Sequence, residues 1–323
     1  MFPRAPLLLS LVAFLTEVSL APVQATAQEA PERPAPTIAD FAYGHDSERQ
    51  KFDFWQARSD RPTPVVLLIH GGGWKVGDKT GFGGISIRPY LDAGISVAAL
   101  NYRFINQAME QKVDPPVKAC VGDAARALQT IRSKAREWNL DPMRVGATGT
   151  SAGACTSLWL ALHDDLADPA STDPIAREST RLTCAAVSGA QTSLDPKELR
   201  EWMPNAIYGG HAFGFAAPGR SRAEEFDFLI AHRERVLRWI KEYSPIELVT
   251  SDDPPIYLDY PSQKTPPIVG QNEPDPTHSA IQGIKLAEKL RALGLEAIVS
   301  YPGKTDDKYG AIDRFLIVKL TAR

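Results

Sequence analysis

The chain has 323 residues, 43% of them hydrophobic and 23% charged, with a formal net charge of −3. That length suits one large α/β domain with insertions better than two ordinary domains. Charges of both signs are scattered, without the basic surface that nucleic acid requires. The three cysteines (Cys120, Cys155 and Cys184) make neither a disulfide framework nor a zinc pattern, and read as small buried apolar residues.

Residues 1–27 read as an export signal. Arg4 supplies a short basic region, Leu7 to Leu15 is largely apolar, and Ala25-Thr26-Ala27 is a small-residue cleavage candidate. Glu17 is out of character for such a segment. The apolar run is shorter than the roughly 20 residues a bilayer span needs. The expectation is therefore an exported protein, periplasmic or extracellular, with a retained N-terminal anchor as the second reading. Residues 28–37 form a Pro-rich linker that cannot bury a core, so the folded domain is expected to run over 38–323.

From there, apolar runs of strand length alternate with helical patterns. Val65 to Ile69, rich in branched residues and ending at three glycines, reads as a buried strand, and Ile95 to Leu100 as another. Asp123 to Trp138 has helical spacing, with Ala124, Leu128, Ile131 and Ala135 on one stripe. Asp141-Pro142 breaks the pattern, and Val145 to Thr150 then leads into a turn at Ser151. Leu182 to Val187, Pro255 to Leu258 and Ala297 to Tyr301 are further strands; Ile281 to Leu293 and Ile312 to Leu320 are helices. The alternation implies a mostly parallel sheet covered on both faces.

Residues 193–247 contain no good strand. Ala223 to Tyr243 reads as one helix with Phe226, Leu229, Ile230, Leu237 and Ile240 facing inward, beside an aromatic, glycine-rich stretch from Tyr208 to Phe215. We read this segment as a helical cap insertion over the sheet edge. Trp74, Tyr208, Phe213 and Phe215 are candidates to stack on a ring, against the plainer reading that they pack.

Two motifs carry chemistry. Gly149-Thr150-Ser151-Ala152-Gly153 lies between a strand and a helix, where the glycines permit a tight turn that exposes the Ser151 hydroxyl at a helix N-terminus. His70-Gly71-Gly72-Gly73-Trp74 directly follows the first buried strand. The N–H groups of Gly72 and Gly73, with that of Ala152, are candidates to hold a tetrahedral oxyanion. His70 itself reads as a brace for this loop.

Ile69-His70-Gly71-Gly72-Gly73-Trp74-Lys75-Val76-Gly77-Asp78-Lys79 resembles the oxyanion segment of the feruloyl-esterase-like and hormone-sensitive-lipase-like α/β-hydrolases. Asn101-Tyr102-Arg103, Asp123 to Leu128, Asp141 to Val145 and Gly149 to Ala154 resemble further segments of those families in the same order. The resemblance is specific over 65–160 and loose over the rest of 40–323. It implies the α/β-hydrolase fold with an eight-stranded sheet, no cofactor or metal, a small-molecule ester as substrate, and two-step hydrolysis through an acyl-enzyme. Small or carbohydrate-linked acyl esters are the expected class.

The chain departs from that pattern in one place. The family carries an Asp after the seventh strand and a His after the eighth, but Tyr301 to Gly310 has no histidine, and none follows His278. Of six histidines, His278 alone lies in a loop belonging at the Ser151 rim of the sheet, in Asn272-Glu273-Pro274-Asp275-Pro276-Thr277-His278. It is the candidate base. Its orienting acid is open between Asp275 on the same loop and Asp306 or Asp307 on the next. Because the usual base position is empty, two other readings stand beside the esterase: a ligand-binding protein with little or no activity, and a peptidase on the same fold.

Overall fold

The structure is a computed structural model that describes residue 1, residues 33–82 and residues 85–322. The export signal and the start of the linker lie outside the described residues. The compact unit runs from Arg33. Its elements in chain order are β1 (Ile38–Ala42), β2 (Lys51–Trp55), β3 (Thr63–Ile69), α1 (Arg88–Asp92), β4 (Ser96–Leu100), α2 (Ile105–Glu110) and α3 (Val117–Ser133). After these come β5 (Leu140–Thr150), α4 (Ala152–Leu162), β6 (Cys184–Ser188), α5 (Pro196–Trp202), α6 (Arg222–Ala231) and α7 (Arg233–Tyr243). The chain finishes with β7 (Ile256–Asp259), α8 (Ala280–Ala292), β8 (Ala297–Ser300) and α9 (Ile312–Thr321).

The eight strands make one sheet in the order β1-β2-β4-β3-β5-β6-β7-β8. The first two pairings are antiparallel and all later ones parallel. Side chains alternate across the pleat. Val65, Leu67 and Ile69 face α3, α4 and α8, whereas Val66 and Leu68 face α1 and α9. Apolar residues at consecutive positions are what a sheet covered on both faces demands.

Several boundaries differ from the sequence reading. The third helix starts six residues early, at Val117, because Pro116 can occupy its N-terminal edge without an N–H to satisfy. β5 already pairs at Leu140, opposite Thr63; Asp141-Pro142 interrupts the ladder as a bulge before pairing resumes at Val145 opposite Val65. The cap helix expected over 223–243 is two helices, broken at His232, and Ile230 is turned out at 42% exposure instead of inward. Residues 33–37 do not stand apart from the fold: the Arg33 guanidinium stacks 4.5 Å over Trp55 and 4.4 Å over Phe82, and Trp55 Nε1 donates to Pro34 O at 2.8 Å. All three cysteines are buried and unpaired. No described helix is long and apolar enough to cross a membrane.

Candidate active site

The register of the parallel strands brings the site together. Thr150 is the last residue of β5 and pairs with Ser188 at the end of β6, which pairs with Asp259 at the end of β7. The loops after these strands therefore leave the same rim. Ser151 sits where β5 turns into α4, with φ 54° and ψ −122°, a strained conformation for a residue with a side chain. Its N–H donates to Ser188 O at 3.0 Å. The turn is this tight because residue 153 lacks a side chain: a Cβ there would run into the Ile69 carbonyl and stand 2.6 Å from the His70 carbonyl oxygen.

The loop after β3 lies against this turn. A Cβ on Gly71 would meet Ser151 Cβ at 3.4 Å. Gly72 has φ +99°, and a Cβ there would collide with the Val76 carbonyl, so the loop closes on itself only with glycine. Lys75 and Val76 both donate their N–H groups to Gly72 O. His70 braces the loop. Arg49 Nη2 donates to its Nε2 at 3.3 Å, leaving Nδ1–H to donate to Gly71 O at 2.8 Å, and the ring stacks on Tyr102 at 4.4 Å. Burial holds its pKa down at about 4, so it stays neutral. The flanking motif residues knit the same support. Tyr102 Oη donates to His70 O, Asn101 bonds both Asp78 and the Lys79 N–H, and Arg103 grips buried Asp123.

The loop after β7 brings the imidazole. The Ser151 hydroxyl donates to His278 Nε2 at 2.9 Å, and His278 Nδ1–H donates to Asp275 Oδ2 at 2.7 Å. The carboxylate as partner of Nδ1 fixes the tautomer that leaves Nε2 free to accept. Of the three acids open in sequence, Asp275 is the one at the imidazole. Asp306 instead accepts the N–H groups of Tyr309 and Gly310, and Asp307 is exposed. Asp275 works locally because its other oxygen also accepts the His278 N–H at 3.3 Å, closing a one-turn helix over Pro276–His278.

Three buried glutamines hold that turn, and sequence reading missed them. Gln191 Nε2 donates to Thr277 O at 2.9 Å and to Gly189 O at 3.1 Å. Gln282 Nε2 donates to Thr277 O at 3.2 Å while its Oε1 accepts the Thr192 N–H. Gln263 accepts the Ala280 N–H and donates to Glu273. Isolated glutamines carry no motif, so nothing in the sequence marked them.

The remaining histidines lie elsewhere. His45 and His163 border a separate hollow of about 900 Å³ between α3 and the end of α4, and His232 Nδ1 donates to Phe228 O on the cap. His211 lies in the cap against Trp74. Trp74, Tyr208 and Phe213 are buried packing residues, with Trp74 Nε1 bonded to Thr156 Oγ1 at 3.0 Å; only Phe215 is half-exposed. A cavity of about 280 Å³ opens beside His278 and Asp275, walled by Ser262, Gln263, Lys264, Glu273 and Pro274. Among the described residues no cluster of acidic, histidine or cysteine side chains is arranged to hold a metal ion.

An imidazole held between a carboxylate and a hydroxyl can take the hydroxyl proton as the oxygen attacks a carbonyl carbon. A probable isoprenylcysteine alpha-carbonyl methylesterase of Oryza sativa subsp. japonica is 32% identical over 118 residues, 35% of this chain and 26% of that protein. Carboxylesterase NlhH of Mycobacterium tuberculosis is 30% identical over 107 residues, 33% of this chain and 31% of that protein. The chain thus matches about a quarter to a third of these relatives' lengths. A truncated carbohydrate esterase from gut microbiota superposes with a TM-score of 0.62 at 18% identity, covering 88% of this chain and 96% of that one, which establishes the shared α/β-hydrolase fold. The BD-FAE family model matches residues 53–260, a stretch that runs from the β2 carboxylate Asp53 through the Ser151 turn to the end of β7, and to that family this chain belongs.

Proposed function

We propose that this protein is a serine carboxylic ester hydrolase that works through an acyl-enzyme. The observation that carries the reading is the unbroken hydrogen-bonded line from Asp275 through His278 to the Ser151 hydroxyl. Ser151 Oγ attacks the ester carbonyl carbon while His278 Nε2 takes its proton. The N–H groups of Gly72, Gly73 and Ala152 hold the oxyanion, each donor of this kind lowering the barrier by roughly 3–4 kcal/mol. Imidazolium then protonates the departing alcohol, and the acyl-serine is hydrolysed by water that His278 activates in turn. Asp275 keeps the imidazole oriented and stabilises its charged form.

The leaving oxygen departs on the His278 side, so the 280 Å³ cavity there is the natural place for the alcohol. Ser262, Gln263, Lys264 and Glu273 place hydrogen-bonding groups on its wall, which supports small or carbohydrate-linked acyl esters as substrates. The gut carbohydrate esterase on the same fold supports the same class. A base in hydrogen-bond contact with Ser151 supports turnover over a binding-only reading. The N-terminal apolar segment supports export to the periplasm or beyond.

A fluorophosphonate probe should label the protein, and acetyl and butyryl esters should be turned over. Ser151→Ala should abolish both. Labelling or turnover that persists in that variant would refute the assignment.

A further inference from the structure

The cavity beside His278 holds a carboxylate that the relay does not use. Glu273 stands two residues before Asp275 and borders the space of about 280 Å³ together with both relay residues. It is 6% exposed and fixed from two sides. Its N–H donates to Asn205 Oδ1 at 3.1 Å, and Asn205 Nδ2, from the segment after α5, donates to its carbonyl oxygen at 2.7 Å. Its side-chain oxygen Oε2 accepts from Gln263 Nε2 at 2.8 Å. Gln263 is pinned in turn, because its Oε1 accepts the Ala280 N–H at 2.9 Å. The second carboxylate oxygen, Oε1 of Glu273, has no hydrogen-bond partner among the described residues, and no described lysine or arginine pairs with the group. That oxygen nonetheless keeps contact with open space, and the open space Glu273 borders is this cavity. A carboxylate has about four acceptor positions and is costly to bury unless they are met. Here one donor meets them from the protein side.

We propose that Glu273 determines specificity for the alcohol half of the ester, its Oε1 accepting O–H groups of a polyhydroxy leaving group such as a sugar ring or a short polyol. The inference rests on the reading of Ser151 as nucleophile and of this cavity as the alcohol's place. Reach follows from the walls of the cavity. His278, whose Nε2 lies 2.9 Å from Ser151 Oγ, and Glu273 border the same space, so an alcohol leaving past His278 meets Glu273. The space is smaller than the roughly 300–1,000 Å³ of sites for drug-sized ligands, which suits one ring and not a chain. An ionised carboxylate only accepts, and its bonds from O–H donors are about twice as strong as neutral ones. A hydroxylated alcohol supplies the partner that Oε1 lacks. An alkyl alcohol displaces water from Oε1 and offers nothing in return, and such a mismatch discriminates more sharply than a difference in apolar size.

The test uses the full-length protein with glycerol 1-acetate and propyl acetate, which share an acyl group and a three-carbon alcohol and differ by two hydroxyls. The two alcohols differ in intrinsic leaving ability, so the readout is how a variant changes the ratio of their kcat/KM values. Glu273→Gln keeps the size of the side chain and an oxygen for Gln263, and loses the charge. It should lower kcat/KM for glycerol 1-acetate on the order of 10-fold and leave propyl acetate within twofold of the parent. Glu273→Met makes the same comparison if the Gln variant does not fold. A ratio within twofold of the parent's in a folded variant overturns the proposal. So does an equal loss on both esters, which would make Glu273 a support of the loop, or a parent that prefers propyl acetate. These outcomes are separable from the nucleophile: if fluorophosphonate labels the parent and the Glu273 variants but not Ser151→Ala, only the Glu273 role fails.

Discussion

The two halves of the site are held by different means. On the nucleophile side, Ser151 and the oxyanion loop are fixed by backbone in direct contact with backbone: Gly153 lies against the Ile69 and His70 carbonyls, and Gly71 against the Thr150 carbonyl. On the base side, His278 rides a loop with only one turn of helix, and its backbone is fixed by the amides of Gln191 and Gln282. Close backbone packing tolerates no added atom, whereas side-chain amides can be removed one at a time. The first half should fail all at once and the second by degrees.

Gly153→Ala should break the first half outright. The added methyl has nowhere to go but into the Ile69 carbonyl, at a cost of about 3–5 kcal/mol. The expected outcome is loss of cooperative thermal unfolding and of soluble yield; a well-folded, active Gly153→Ala protein would contradict the account of the turn.

On the base side, Asp275→Asn should keep the fold and lower kcat/KM by on the order of 10³–10⁴-fold, since the amide no longer favours the tautomer with Nε2 free. Asp307→Asn is the matched control and should change kcat/KM less than twofold. The reverse ranking would exchange the roles of the two loops.

Gln191→Leu should have an intermediate effect. It removes the donor to Thr277 O and Gly189 O at nearly constant volume; Thr277 O keeps the Gln282 amide, so the Gly189 carbonyl is the one left without its donor, at about 1–3 kcal/mol. The expected signature is a kcat lower by roughly 10–50-fold with KM little changed, from a His278 ring held less firmly against Ser151. Full activity in a folded variant would mean that the loop is positioned without this glutamine.

The smallest effect is one of pH on stability. His70 and His211 both border the oxyanion loop, and their folded pKa values of about 4 and about 3 lie below the 6.5 of a free imidazole. Between pH 6.5 and about 4 the unfolded chain binds protons that the folded chain does not, so stability falls as pH is lowered through that window. Melting curves at pH 7 and pH 4.5 should differ by roughly 5–10 °C. A Tm that rises on acidification would show that these rings are not buried in the neutral form.

Legibility in the sequence followed the same division. The β3 strand with its His70 to Trp74 loop, and the β5 strand with its Ser151 turn, are contiguous segments whose conformation is set by neighbours within a few residues. They were readable as motifs. His278 was reached by elimination, from the absence of any later histidine. The choice between Asp275 and Asp307 was not readable, because both stand beside turn-forming residues. The antiparallel pair β1 and β2 escaped notice: β1 is largely exposed and lacks the apolar run that marked the buried strands. Residues 193–247 carry no strand, as their sequence indicates, but the helix break at His232 has no glycine or proline to announce it.

The sequence by itself determined the turn that presents Ser151 and the glycine loop beside it, since each is short, local and intolerant of any other residue type. The tertiary structure alone decided which side chains meet that serine. The pairing of Thr150 with Ser188 and of Ser188 with Asp259 sets the loops after β5 and β7 on one rim, 127 residues apart in the chain. Which imidazole and which carboxylate meet there depends on strand register and on three buried glutamines, and long-range packing of that kind leaves no pattern in neighbouring residues.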